Sequence, residues 1–146
     1  MMEIKINTHG HDMPYQAAGG DWIDLYTAEE TVMKAGDFRL ISLGVSMEIP
    51  DGYEAIVAPR SSTPGRYGVI MANSIGVIDN AYNGDGDVWR FPAFAIRDTY
   101  IPDHTRIAQF RLFKNQEPVA FKVVSRLGNK DRGGIGSTGT GKEVEK

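Results

Sequence analysis

The residues of this chain best suited to chemistry are two carboxylates, an Arg-Ser-Ser triplet, a glutamine on an apolar strand and a glycine-rich tail. In "SIGVIDNAYNGDG", residues 74–86, an apolar run delivers Asp79 at its end, and Tyr82 follows before Asn83-Gly84. A carboxylate at a strand end can act as a general base, drawing a proton from a water aimed at phosphorus. The same Asp also reads as a turn-capping residue. Tyr82 offers an aromatic face to a sugar, and the Asn-Gly pair predicts a β-hairpin here. In "APRSSTPGRYG", residues 58–68, Arg60, Ser61 and Ser62 stand just beyond a strand. A guanidinium fork matches phosphate oxygens, and hydroxyls with free backbone N–H groups add donors; the plain alternative is a polar loop. Gln109 and Arg106 lie on the apolar strand "RIAQF" and need polar partners, because burying an unpaired amide or charge is costly. Gln109 then either faces a ligand or bonds backbone at a sheet edge. Asp24, between Ile23 and Leu25, is a second carboxylate in a strand context. His9 and His11 have the spacing of a metal pair but no third ligand nearby, so "HGHD" reads as a solvated loop.

The tail "NKDRGGIGSTGTGKEVEK", residues 129–146, has glycines at 133, 134, 136, 139 and 141, with hydroxyls at Ser137, Thr138 and Thr140. Glycine-rich loops usually cradle phosphate where they lead into a helix N-terminus. Almost no chain remains here to build that helix. With little apolar content, the segment is expected to be mobile when nothing is bound.

These groups have to be positioned by strands. Apolar residues fall in short runs separated by Gly, Pro, Asp and Asn, an all-β rhythm. Strands are predicted within residues 3–7, 39–50, 53–60, 67–73, 76–79, 88–96, 106–114 and 119–127. Turn chemistry falls at Asp51-Gly52, Pro64-Gly65, Asn83-Gly84 and Pro102-Asp103. Residues 27–36 carry a capping pattern, Thr27 with Glu30, but too poor an apolar spacing for a helix, and read as a loop or single turn. Many short strands suit a jelly roll or distorted barrel. The division expected is a β domain over residues 1–127 and a flexible arm over 128–146.

Composition narrows the function classes. The chain has 146 residues, 41% of them hydrophobic and 24% charged, which suits one soluble globular domain. A net charge of −3 leaves no basic surplus for non-specific nucleic-acid binding. There is no cysteine, so disulfides and thiolate metal sites are excluded. No apolar run is long enough to span a membrane and the start lacks a signal-peptide core, so a cytoplasmic protein is expected.

Read in order, "IDLYTA", "PRSS", "NSIGVIDNAYNGD", "RIAQF" and "RGGIGSTG" resemble the five motifs of the trimeric dUTPase family. The stretch before Arg106, "GDGDVWRFPAFAIRD", resembles dUTPases of bacteriophages. The resemblance implies a jelly-roll homotrimer, with three active sites each built from all three chains, that hydrolyses dUTP to dUMP and pyrophosphate with Mg²⁺. It limits uracil incorporation into DNA and supplies dUMP for dTMP synthesis, in the host cytoplasm if the protein is phage-encoded. By motif position, Asp79 is the base that activates water and Tyr82 packs under the deoxyribose. The backbone of Gly76, Val77 and Ile78 reads uracil, and Asn73 helps hold water and base. Arg60, Ser61, Ser62 and Gln109 line the triphosphate, with Arg60 and Gln109 counted among the catalytic residues. Asp24 sits near the metal's water shell, Mg²⁺ being held mainly by the triphosphate. The tail becomes a lid that folds over bound nucleotide, with Lys130 or Arg132 on the γ-phosphate, Ile135 over the base, and Gly136, Ser137 and Thr138 along the phosphates.

Three departures from the family pattern stand out. Ser62 replaces the usual Gly of "RSG", and Ile135 replaces the usual Phe of the lid. The basic residue five positions before that aromatic is Lys130 here, whereas Arg132 lies three before and has the better fork geometry. Other readings are a dCTP deaminase of the same fold, which the missing Glu partner near Asp79 disfavours, and a regulatory binding protein engaging a protein partner through an inserted surface at residues 86–103. A structural or capsid-type β-sandwich explains the strands but not five motifs in order.

Overall fold

The computed structural model describes residues 1–142. Positions 143–146, the end of the expected arm, lie outside the described residues. The first compact unit is Met1–Gln116. Its strands are β1 Lys5–Asn7, β2 Ile23–Tyr26, β3 Thr31–Met33, β4 Phe38–Ser42, β5 Ser46–Glu48, β6 Tyr53–Pro59, β7 Val69–Met71, β8 Gly76–Ile78, β9 Arg90–Ala95, β10 Thr99–Ile101 and β11 Arg106–Lys114, with one helical turn, α1, at Thr63–Tyr67. All strand pairs are antiparallel, in sheets ordered β1-β5, β10-β3, β2-β11-β6-β8 and β4-β9-β7.

Period-two alternation explains the packing. Along β9, Phe91, Ala93 and Ala95 are buried while Arg90 and Phe94 face outward. Trp89 stacks edge-on against Phe110, with ring centroids 5.2 Å apart, and Leu25, Ile41, Val57, Val69 and Ile107 complete one core around this pair.

Four sequence expectations are corrected. Residues 27–36 hold β3, whose Thr31 and Met33 point inward and whose backbone pairs with β10. Thr27 caps no helix: its hydroxyl donates to Pro102 O at 2.9 Å and accepts from Thr105 N–H at 2.9 Å. The stretch after Arg60 forms α1 rather than a plain loop, because Pro64 presets the first turn and Gly68, at φ 62°, ends it. Residues 86–103 are not an insertion, since β9 is the middle strand of its sheet and Trp89, Phe91, Ala93 and Ala95 are fully buried, while Arg90, Phe94, Ile96 and Tyr100 of the same stretch face outward. Finally, residues 119–127 form no strand, because the described residues of their unit, which begins at Glu117, offer no second strand for a ladder. That unit has left-handed backbone at Gly133, Ile135, Gly136 and Gly139, and closes a turn from Gly139 N–H to Gly136 O at 3.0 Å.

"HGHD" is an exposed loop, as its sequence reads, with side-chain bonds at its two ends. His9 Nε2 lies 2.8 Å from Ser46 Oγ, and Asp12 Oδ2 lies 2.6 Å from His104 Nδ1. The Asp12 hydrogen bond, aided by the charges of Asp103 and Asp12, raises the His104 pKa above the ordinary histidine value. His11 packs against Gly44, which has φ 72°; a Cβ there would come within 2.9 Å of His11 Cβ and Ala28 Cβ. Gly44→Ala is therefore expected to cost about 3 kcal/mol through backbone strain and overpacking together. A clear drop in melting temperature checks it, and an unchanged one would mean that the loop carrying His11 yields freely.

Candidate active site

Antiparallel register brings the polar candidates of motif-bearing strands into two clefts. The first, about 350 Å³, is lined by Asp24, Arg60, Ser61 and Gln109 together with Ala17, Gly20, Asp21 and Trp22. It forms because β11 pairs with β2 on one side and β6 on the other, with Gln109 facing Asp24 and Ala58 across the ladders. Arg60 leaves the end of β6 and is fixed there by α1. Its N–H donates to Thr63 Oγ1 at 3.1 Å, and the Thr63 hydroxyl donates to Ile107 O at 2.7 Å. The Arg60 side chain donates to Arg106 O at 3.2 Å and pairs with Asp24 through Nε at 3.4 Å. Gln109 donates to Pro59 O at 3.1 Å, so the backbone alternative holds for its nitrogen while the residue still lines the cleft. Ser61 and Ser62 are exposed at the start of α1; Ser61 lines the cleft and Ser62 does not.

The second cleft, about 260 Å³, is lined by Asn73, Gly76, Val77, Ile78, Asp79 and Tyr82. It is completed by Val88, Trp89, Arg90 and Pro92. Those four were missed by the sequence reading, which treated their stretch as strand and insertion; the exposed Arg90 opening an otherwise apolar run was the available signal. The predicted hairpin is not formed. β8 pairs with β6, not with a strand following Asn83-Gly84. The loop after it turns instead at Gly84 and Asp87, with Gly84 N–H donating to Asp87 Oδ2 at 2.9 Å and Asp87 N–H to Gly84 O at 3.0 Å. Asn80 anchors this loop by donating to Ile49 O at 2.7 Å, and Tyr82 does so through its hydroxyl to Val88 O at 3.1 Å. Asp79 is exposed at the end of β8, and among the described residues no donor engages its carboxylate.

The two clefts share no residue. Asp79 lies one position past the Ala55–Ile78 pair, level with Glu54, whereas Arg60 lies at the other end of β6. Six residues of strand separate those levels, about 20 Å at the usual rise. Lys130, Arg132, Ile135, Gly136, Ser137 and Thr138 belong to the second unit, which begins at Glu117. Among the described residues no group of three or more His, Cys, Asp or Glu side chains is arranged to hold a metal.

The candidate residues thus fall in two places, an exposed carboxylate at a strand end beside one cleft and a guanidinium in the other. Comparison with known proteins bears on their use. The dUTPase family model matches residues 8–141. The chain belongs to the dUTPase family. It is 58% identical over 121 residues to the SPbeta prophage-derived deoxyuridine 5′-triphosphate nucleotidohydrolase of Bacillus subtilis (strain 168), covering 83% of this chain and 85% of that protein. Among solved structures it is similar to the Staphylococcus bacteriophage 80alpha dUTPase with dUpNHpp, at TM-score 0.79 and 18% identity, covering 96% of this chain and all of that one. It is also similar to a point-mutant dUTPase from phage phi11 of S. aureus, at TM-score 0.73 and 16% identity, covering 86% of this chain and 99% of that one. The all-β dUTPase-type fold is thereby shown, and with it the relation to dUTPases of phages. Among the described residues no helix is long and apolar enough to cross a membrane.

Proposed function

We propose that this dUTPase-family chain hydrolyses dUTP to dUMP and pyrophosphate, by attack of water at the α-phosphorus, as a homotrimer with shared sites. The observation that carries this reading is the split site. With Asp79 and Arg60 about 20 Å apart along β6, one chain cannot bring both to the same phosphate group, and a second copy can supply the missing half. The outer face of the β4-β9-β7 sheet supports association: Phe38 and Ile70 both register with Phe94, Leu40 registers with Pro92, and all but the half-buried Pro92 are exposed. Contiguous apolar area of this kind marks an interface.

In the nucleoside half, Asp79 accepts the proton of the attacking water and Tyr82 packs under the deoxyribose. Asn73 and the backbone of Gly76, Val77 and Ile78 recognise uracil. In the phosphate half, Arg60, Ser61 and Gln109 line the triphosphate, and Ser62 adds a donor at the start of α1. The arm from residue 128 closes over the nucleotide, with Arg132 in preference to Lys130 at the γ-phosphate, Ile135 at the base, and Gly136, Ser137 and Thr138 along the phosphates.

Mg²⁺ is the metal proposed. The donor set fits a cation held chiefly by substrate: Asp24 has Oδ2 committed to two arginines, leaving Oδ1 for a metal-bound water. That is the usual habit of a hard ion that keeps its waters and leans on phosphates. When bound, the ion neutralises phosphate charge and aligns the group for in-line displacement. The phi11 relative's structure is described as showing coordination of a structural Mg(II) ion. The dUMP formed would serve dTMP synthesis in the cytoplasm, that of the host if the protein is phage-encoded.

Pyrophosphate release from dUTP, UTP, dTTP and dCTP with Mg²⁺ tests the reading. Release from dUTP alone supports it. No release from dUTP overturns it in favour of a binding role, and ammonia from dCTP would redirect it to deamination.

A further inference from the structure

Asp24 is shared by two guanidiniums, and only one of them belongs to the cleft. Its Oδ2 lies 3.4 Å from Arg60 Nε and 3.2 Å from Arg106 NH1. Asp24 and Arg60 line the 350 Å³ cleft; Arg106 does not. Arg106 is held from behind by the Tyr15 ring, with its guanidinium carbon 5.1 Å from the centroid, a cation–π distance. Tyr15 is in turn bridged to Asp24 by two backbone hydrogen bonds, Tyr15 N–H to Asp24 O at 3.0 Å and Asp24 N–H to Tyr15 O at 2.7 Å. Arg106 also fixes Arg60 through its carbonyl, which accepts from Arg60 NH1 at 3.2 Å. The Asp24 side chain is 12% exposed and that of Arg60 29%, so their mutual attraction is only partly screened by water.

We infer that Arg106 is a positioning residue that keeps Arg60 available for phosphate by taking up the charge of Asp24. The charge count gives the reason. One carboxylate between two guanidiniums leaves the group with a net single positive charge, and the surplus lies on the cleft side. Without Arg106, Asp24 would neutralise Arg60 completely, and the polyanion would meet a cleft with no net attraction. Asp21, the other carboxylate lining the cleft, is present with or without Arg106, so it lowers both counts by one and leaves the difference of one charge unchanged. The inference rests on the reading of Arg60 as a triphosphate contact.

The test is calorimetric titration of the full chain with the dUTP analogue dUpNHpp in EDTA, so that any metal role of Asp24 is set aside. Arg106→Gln keeps a shorter apolar stem with a planar polar end while deleting the charge, and is expected to weaken binding about tenfold, the size of one partly screened charge interaction. Arg106→Lys retains the charge and should stay within about threefold of the unsubstituted protein. Asp24→Asn added to Arg106→Gln restores the net charge and should recover most of the lost affinity, which a merely structural role of Arg106 would not allow. Asp24→Asn alone should bind the analogue at least as tightly as the unsubstituted protein, an arm that stands even if Arg106→Gln does not fold. Unchanged affinity in Arg106→Gln, absence of recovery in the double variant, or weaker binding in Asp24→Asn overturns the inference. Failure of the unsubstituted protein to bind dUpNHpp overturns the dUTP reading itself, and indifference to Arg60→Ala removes Arg60 from the phosphates; neither depends on Arg106.

Discussion

Asp79→Asn is expected to lower dUTP turnover by roughly 10³-fold, the scale of a positioned general base, while leaving affinity for dUpNHpp within about threefold. The substitution keeps the side chain's shape and removes only its ability to take a proton. The local structure should survive it, because the contacts that build this loop do not pass through the carboxylate. Tyr82 N–H reaches the main-chain oxygen of Asp79 at 3.0 Å, Asn80 donates to Ile49 O at 2.7 Å, and Tyr82 OH donates to Val88 O at 3.1 Å. Binding should survive as well, since Asn73, Tyr82 and the backbone of Gly76–Ile78 line the same cleft and remain. Steady-state kinetics beside titration of the analogue separates the two effects. Near-normal turnover would take Asp79 out of the chemistry and leave it an exposed carboxylate at the end of β8. A parallel loss of binding would mean that its charge organises the cleft rather than the water.

Much of this site was legible because its residues sit where strands end. Asp79 after Gly76–Ile78, and Arg60 after Tyr53–Pro59, are read from the point at which apolar alternation stops. The polar partners demanded for Arg106 and Gln109 also exist, in Asp24 and the Pro59 carbonyl. What failed was pairing. Asn83-Gly84 carries hairpin chemistry, yet β8 finds its ladder on β6, because burying the face shared with Ala55 and Val57 outweighs the local preference of a turn. Thr31–Met33 was obscured for a similar reason. Three residues are too few to display a period, and the β10 strand that stabilises them lies nearly 70 positions away in sequence. The separation of Asp79 from Arg60 along β6 could not be read from spacing at all. Nineteen positions of sequence between them say nothing of which strand lies beside which.

Removing residues 128–146 is expected to leave a folded protein whose kcat/KM for dUTP falls by about 10²-fold, as for loss of a lid that completes a site. Stability should not depend on the arm, because every residue of the hydrophobic core lies within Met1–Gln116 and the last strand ends at Lys114. Melting temperature should therefore stay close to that of the full chain. The activity argument is one of entropy against charge. Ordering backbone costs about 1–2 kcal/mol per residue, and glycine loses more freedom than any other residue. A segment with glycines at 133, 134, 136, 139 and 141 has no apolar burial of its own to offset that cost. It does have N–H groups that can approach phosphate closely, with Ser137, Thr138 and the Arg132 fork beside them, and charge-assisted bonds of this kind are the strong ones. Ordering is then favourable only when the triphosphate is present, which makes closure a response to substrate. If so, truncation should reduce affinity for dUpNHpp more than affinity for deoxyuridine, since the lost contacts are to phosphate. Equal losses for both would assign the arm to the base through Ile135, and full activity after truncation would mean that the β unit closes its sites unaided.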